Sequence, residues 1–196
     1  MKRVALLLFL AGWLVPLASA QDQDHVQAGA YFDYLRLSQT NSNMAGLGGR
    51  VGIKVFSHVM LEGEMNYDFK QAFTEGFTDN STAPPTVTVV NSNLKVLHGL
   101  FGPKFVVGHG RIRPFVTVKG GFINFRLDPE PGSVSGFVSS VNNLRANNVS
   151  GTLYPGAGLE GHFGPIGLRL EAGDEIYFAG GTHHNVRVAF GPYIRF

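Results

Sequence analysis

The sequence predicts an all-β fold of eight antiparallel strands in up-and-down order, closed into a barrel, and three observations lead there. Beyond residue 25 the chain falls into eight runs of alternating apolar and polar residues, the period that sends successive side chains to opposite faces of a sheet. Composition suits strands and turns, with 26 Gly and 16 Phe in 196 residues, and Gly is a poor helix former. The connectors between runs alternate between short and long, so the two ends of the meander differ.

Each run carries its own signature. The first sets Ala28, Ala30, Phe32 and Tyr34 against Gln27, Gly29, Tyr31 and Asp33, and ends at a polar loop over 39–43. The second places Leu47, Val51, Ile53 and Val55 on one face, then turns tightly at Phe56-Ser57-His58. The third is the clearest: Leu61, Met65, Tyr67 and Phe69 face one way, and Glu62, Glu64, Asn66, Asp68 and Lys70 the other. Residues 71–91, with Asn80, Ser81, Thr82, Pro84 and Pro85, read as a long polar loop.

The fourth run, 92–105, has the weakest period, with Leu97, Gly99, Phe101 and Phe105 against His98, Leu100, Gly102 and Lys104. Gly108-His109-Gly110 turns into the fifth, where Val116, Val118 and Phe122 oppose Thr117, Lys119 and Gly121. Residues 128–148 read as the second long loop. The sixth run, 151–163, alternates Leu153, Ala157, Leu159 and Phe163 with Tyr154, Gly156, Gly158, Glu160 and His162, and Gly164-Pro165 turns it. In the seventh, Ile166, Leu168, Leu170, Ala172 and Ile176 oppose Gly167, Arg169, Glu171 and Glu175, with Asp174 breaking the apolar side. The connector 179–182 leads to the eighth, where Val186, Val188, Phe190, Pro192, Ile194 and Phe196 alternate with Arg187, Ala189, Gly191, Tyr193 and Arg195. A chain that stops inside a strand is expected to have that end tied into the sheet.

Residues 1–20 form a leader of their own. Lys2 and Arg3 precede an apolar run from Val4 to Leu17, and Ala18-Ser19-Ala20 has the small-x-small form read by a signal peptidase. The apolar run is too short for a spanning helix, so cleavage between Ala20 and Gln21 is expected, leaving 21–196 as one barrel domain. Removing Lys2 and Arg3 leaves fourteen basic residues against fourteen acidic, which argues against a nucleic-acid partner. With no Cys, an exported chain has no disulfide and relies on its sheet.

Alternation alone fits a soluble lipocalin-like barrel, with charges outside, or a transmembrane barrel, with charges inside. Three features favour the membrane. The runs approach the roughly 9–11 residues that a tilted membrane strand needs. Short turns at one end oppose longer loops at the other. The non-apolar face holds Arg50, Lys54, Lys104, Lys119, Arg169, Arg187 and Arg195 against Asp33, Glu62, Glu64, Asp68, Glu160, Glu171 and Glu175, a set able to pair across a narrow lumen. The expected lumen charge network is Arg50, Lys54, Glu62, Glu64, Asp68, Lys104, Lys119, Glu160, Arg169, Glu171, Arg187 and Arg195. Side chains fill an eight-stranded barrel, so structural filling is expected over conduction, with a narrow pore as the alternative.

The stretches GTLYPGAGLEGHF, GLRLEAGDEIYF and NVRVAFGPYIRF, together with LHGLFGPKF earlier, carry a resemblance to the bacterial outer-membrane beta-barrel domain family, the small eight-stranded barrels related to OmpA and OmpX. The resemblance spans roughly 21–196 and weakens in the two long loops. It implies residence in a bacterial outer membrane among its lipid and lipopolysaccharide, and insertion by the outer-membrane assembly machinery. That machinery reads a terminal aromatic with alternating apolar residues, here Phe196, Ile194, Phe190 and Val188. Pro192 departs from the pattern; because proline donates no ladder bond, its position requires a bulge or a missing donor.

Catalytic chemistry finds little support. Rim residues His183, His184, Asp174, Glu175 and Ser150 suggest a lipid-modifying enzyme, but no spacing selects a triad. His183 and His184 are adjacent, and neighbouring strand residues point to opposite faces, so no metal is expected on that pair. No cofactor motif is present. The sequons at Asn80 and Asn148 read as ordinary loop composition. The expected role is structural or interactive, with both termini periplasmic and the loops over 71–91 and 128–148 facing outward to external surfaces. Nothing after the eighth run is expected to bind the cell wall.

Overall fold

The structure is a computed structural model and describes residues 25–38, 42–79, 86–108, 110–128 and 149–196. The leader, the cleavage site and the sequon at Asn80 lie outside the described residues. Eight strands, β1 (Val26–Leu37), β2 (Ser42–Phe56), β3 (Val59–Asp79), β4 (Thr86–Val106), β5 (Ile112–Asp128), β6 (Val149–Phe163), β7 (Ile166–Phe178) and β8 (Thr182–Arg195), each pair with their chain neighbours. Antiparallel pairing of β1 with β8 closes the barrel. At the seam His25 N–H donates to Phe196 O (2.8 Å) and Phe196 N–H to Val26 O (2.9 Å), so both edge strands are used up.

The alternation resolves in one sense. Phe32, Leu47, Val51, Met65, Phe101, Val116, Leu170 and Phe190 are exposed on the outside, whereas the charged partners of the alternation are buried within. A soluble lipocalin-like barrel needs the opposite sense, and this arrangement excludes it. Short turns at Ser57-His58 and Gly164-Pro165 lie at the end that also holds the termini. Gly164 adopts φ +61°, a left-handed conformation that only glycine takes without strain.

Proline is accommodated without any slip. The β1–β8 ladder keeps its register from Gly29↔Tyr193 to Phe32↔Phe190, with the pairs opposite Pro192 and Gly191 left unbonded. Of the two solutions open to Pro192, the missing donor applies rather than a bulge. A bulge does occur in β3 between Asp68 and Gln71.

Two readings change. Residues 71–79 and 86–91 are no loop: β3 continues to Asp79, β4 begins at Thr86, and the pairs run from Ala72↔Asn93 to Asp79↔Thr86. At about 3.3 Å per residue and a tilt near 45°, these 21-residue strands reach roughly 20 Å farther along the axis than the 12-residue β1. The β-branched run Thr86-Val87-Thr88-Val89-Val90 favours strand and itself alternates over its first four residues, a signal hidden by the polar, proline-containing sequence before it. The second change lies inside. At the long-connector end, inward residues turn apolar, and Leu35, Leu37, Met44, Leu94, Val96, Ile123, Phe125, Tyr177 and Ala179 pack as one cluster. That cluster accounts for the weak period of β4, where Leu94, Val96 and Leu100 all point inward.

Candidate functional site

Successive inward positions of β3, Glu62, Glu64, Asn66 and Asp68, form a polar ladder up the lumen, and the facing strands supply its partners. Arg169 of β7 binds Glu62 and Glu171. Lys119 of β5 sits among three carboxylates, with Nζ 2.8 Å from Glu62, 2.8 Å from Glu64 and 3.0 Å from Glu171. Arg50 of β2 reaches Glu171 at 3.0 Å. Near the short-turn mouth Glu160 accepts from Lys104 (2.9 Å) and forms an ion pair with Arg113 at 2.8 Å. Arg187 of β8 bridges two levels, donating from Nε to Asp33 (2.8 Å) and from a terminal nitrogen to Glu64 (2.6 Å).

Aromatic rings complete the filling. The Arg50 guanidinium lies 4.0 Å over the Tyr31 ring, that of Arg169 lies 4.2 Å over Phe115, and that of Arg187 lies 5.1 Å from Tyr154. Lys104, Lys119 and Glu160 are 0 % exposed and Arg187 is 1 % exposed, so these charges are sealed from solvent. In so dry an interior an unpaired charge is costly, and each charge of the ladder named above faces an opposite one.

Ten of the twelve residues expected in the network, Arg50, Glu62, Glu64, Asp68, Lys104, Lys119, Glu160, Arg169, Glu171 and Arg187, are buried in the lumen. Lys54 and Arg195 stand apart from them. Lys54 lines the cavity at the short-turn mouth with Ser57, His58 and Arg113, and half-buried Arg195 donates to Gly164 O at 2.8 Å. Both lie near strand ends, where the inward direction opens to the mouth.

The expected network also left out Asp33, Glu175, Asn66, His98 and Arg113. Asp33 and Glu175 were legible from phase alone. His98 was legible too, since it is in step with Lys104, but the apolar residues around it in β4 hid the signal.

The rim residues are split by the wall. Glu175 and Ser150 are buried inside, whereas His184 and Asp174 pair at 2.6 Å on the exposed side. His183 stacks on Tyr177 at 4.9 Å between centroids and lies 3.2 Å from Ala179 O. These five residues form no nucleophile–histidine–acid constellation. Phe190, Ile194 and Phe196 are exposed on the outer face, with Val188 half-buried beside them.

A closed eight-stranded antiparallel wall, apolar outside and charged inside, defines the fold of the small outer-membrane β-barrels. Among solved structures the chain is similar to Neisserial surface protein A, with TM-score 0.54 and 12 % identity over 88 % of this chain and 96 % of that one. It also aligns with Ail, the attachment invasion locus protein of Yersinia pestis, in complex with the heparin analogue sucrose octasulfate (TM-score 0.49, 14 % identity, 88 % and 97 % covered). A third is the outer membrane protein OprG from Pseudomonas aeruginosa (TM-score 0.48, 10 % identity, 87 % and 94 % covered). In sequence, no family model and no curated protein matches it. At these identities the likeness concerns the fold.

Proposed function

We propose that the chain is an integral protein of a bacterial outer membrane, with a structural or surface-interaction role exercised through its outward connectors. One observation carries this reading: large apolar side chains cover the outside, Phe32 being 67 % exposed and Phe101 61 %, while the charges are sealed inside. Such a surface is stable in lipid and aggregates in water. The likeness to Neisserial surface protein A supports the fold on which the reading rests.

In this reading residues 1–20 are removed after Ala20, both termini are periplasmic, and the assembly machinery recognises Phe196, Ile194, Phe190 and Val188. Lipid and lipopolysaccharide surround the wall. The extended β3–β4 hairpin and the connector over 129–148 present the surface that meets external partners. The paired charges hold the wall rather than conduct, and no catalytic role is assigned.

Membrane fractionation with a heat-modifiability gel tests the proposal, combined with epitope tags within 80–85 or 129–148. The chain is expected in the outer-membrane fraction, with different mobility before and after boiling and with both tags accessible on intact cells. A soluble chain whose mobility does not depend on boiling would refute it.

A further inference from the structure

The outer level of the lumen holds a second constellation that the wall-holding network does not account for. Among the described side chains, seven buried carboxylates, Asp33, Glu62, Glu64, Asp68, Glu160, Glu171 and Glu175, face six permanent cations, Arg50, Lys104, Arg113, Lys119, Arg169 and Arg187. The shortfall is local: among the described side chains, Asp33 and Glu175 have Arg187 as their permanent cation, Arg187 also serves Glu64, and Asp68 meets His98 and Asn66. A further positive charge belongs beside these three acids.

His98 sits at the centre of them. Both Glu175 carboxylate oxygens lie 2.9 Å from its Nδ1, which places the proton there and turns Nε2 toward Asp68 Oδ2 at 3.2 Å and Asp33 Oδ2 at 3.7 Å. The Asn66 amide nitrogen is 2.6 Å from Nε2, 3.0 Å from Asp33 Oδ2 and 3.2 Å from Asp68 Oδ1. With the carboxylates ionised, every placement of the ring and amide protons leaves like groups face to face. A neutral ring sets the Nε2 lone pair against Asp68 Oδ2, and a protonated ring sets N–H against the amide N–H. Reversing the amide, which amide assignment always permits, sets its oxygen against two carboxylates. Asp68 Oδ2 and Asn66 Oδ1 accept no hydrogen bond, although both side chains are buried.

A cation at the centre removes every one of these conflicts, because all the facing atoms then act as donors of lone pairs. Four ligands placed tetrahedrally at 2.0–2.2 Å stand about 3.3–3.6 Å from one another. Asp33, Asp68 and His98 already bring one ligand atom each within 4.8 Å of the others, and the separations to Asn66 run from 2.6 to 3.2 Å. Glu175 occupies the position from which a carboxylate orients a metal-bound histidine.

We propose that Asp33, Asp68, His98 and the inward-turned amide oxygen of Asn66 bind one divalent transition-metal cation of the zinc class, with Glu175 positioning His98. Arg187 stays on Asp33 Oδ1 and leaves Oδ2 to the metal. The donor set of imidazole nitrogen and oxygens suits Zn²⁺, with Co²⁺ as a visible surrogate. The apolar cluster beginning at Leu35, Val96, Ile123 and Tyr177 lies one step outward along the same strands, so the ion enters as the barrel closes. The inference stands independently of what the outward connectors touch.

The test is to refold the chain into detergent with equimolar Co²⁺, dialyse it, and measure bound metal and visible absorption, with a heat-modifiability gel as the readout of folding. One cobalt per folded barrel with a tetrahedral d–d band is expected. His98→Asn and Asp68→Asn should abolish the band, Glu175→Gln should weaken binding 10–100-fold, and His184→Asn on the outer face should leave it unchanged. A folded wild-type barrel that retains no metal overturns the proposal, as does retention undiminished in both ligand variants. Should those variants not fold, wild-type NMR decides. Cobalt-induced shifts centred on His98 and Asn66 uphold the site, and shifts centred on His25, His58 or His184 overturn it.

Discussion

Replacing Lys119 with Met probes the lumen most directly. The ammonium is fully buried and holds Glu62, Glu64 and Glu171 within 3.0 Å. Each contact contributes on the order of 5 kcal/mol of gross attraction at an effective dielectric constant near 20, most of it offset by desolvation. What the substitution exposes is the mutual repulsion of three acids that water cannot reach. Removing one partner of a buried pair typically costs about 3–5 kcal/mol. The lower end applies here, because Arg169 remains on Glu62, Arg187 on Glu64 and Arg50 on Glu171. With a urea m-value of about 3 kcal/mol/M, the unfolding midpoint should fall by about 1–1.5 M. Trp13, the single tryptophan, lies within the proposed leader 1–20, so circular dichroism or gel mobility serves as the probe for the barrel. Adding Glu64→Gln should restore more than half of the loss, since one acid then needs no counter-charge. A loss below about 1 kcal/mol would refute the argument, because it would mean that water screens the lumen.

Other outcomes follow from the wall itself. Phe101→Arg, near mid-height on the outer face, should cost about 2–4 kcal/mol in lipid, whereas Phe163→Arg beside the Gly164 turn should cost about 0–1 kcal/mol; urea titration in vesicles measures both. Gly48→Ala would overlap the Tyr31 ring, over which the Arg50 guanidinium lies, and should cost about 1–3 kcal/mol. Gly151→Ala meets open space and should stay within about 0.5 kcal/mol, so the same titration on the pair separates packing from backbone effects. Deleting Phe196 should lower the amount of folded barrel in the outer membrane; unchanged levels in a chain ending at Arg195 would count against its role in assembly.

Much of the wall was legible. Lipid and a narrow lumen impose opposite chemistry on alternate residues, so strands such as β3 and β8 declared both their existence and their phase. The failures occurred where that signal is hidden or lapses. Residues 72–79 and 86–91 form strands whose signal is hidden by the polar, proline-containing segment that separates them. Leu35, Met44, Val96 and Tyr177 point inward yet are apolar, because the outer end of the lumen is closed by packing rather than by charge. Asp174 looked like a flaw, and its pairing with His184 shows a polar contact on the outer face instead.

By itself the sequence determined the number of strands, their order and which residues share a face, since each is a local property of a chain with period two. Only the tertiary structure decided which way the faces point, because inside and outside exist only once β1 meets β8. It also decided which charges meet. Arg187 and Glu64 lie 123 positions apart, and closure brings them to 2.6 Å. His98 is an ordinary inward residue along β4 and becomes the centre of a cluster only when β1, β3 and β7 curve round to deliver Asp33, Asp68 and Glu175 to it.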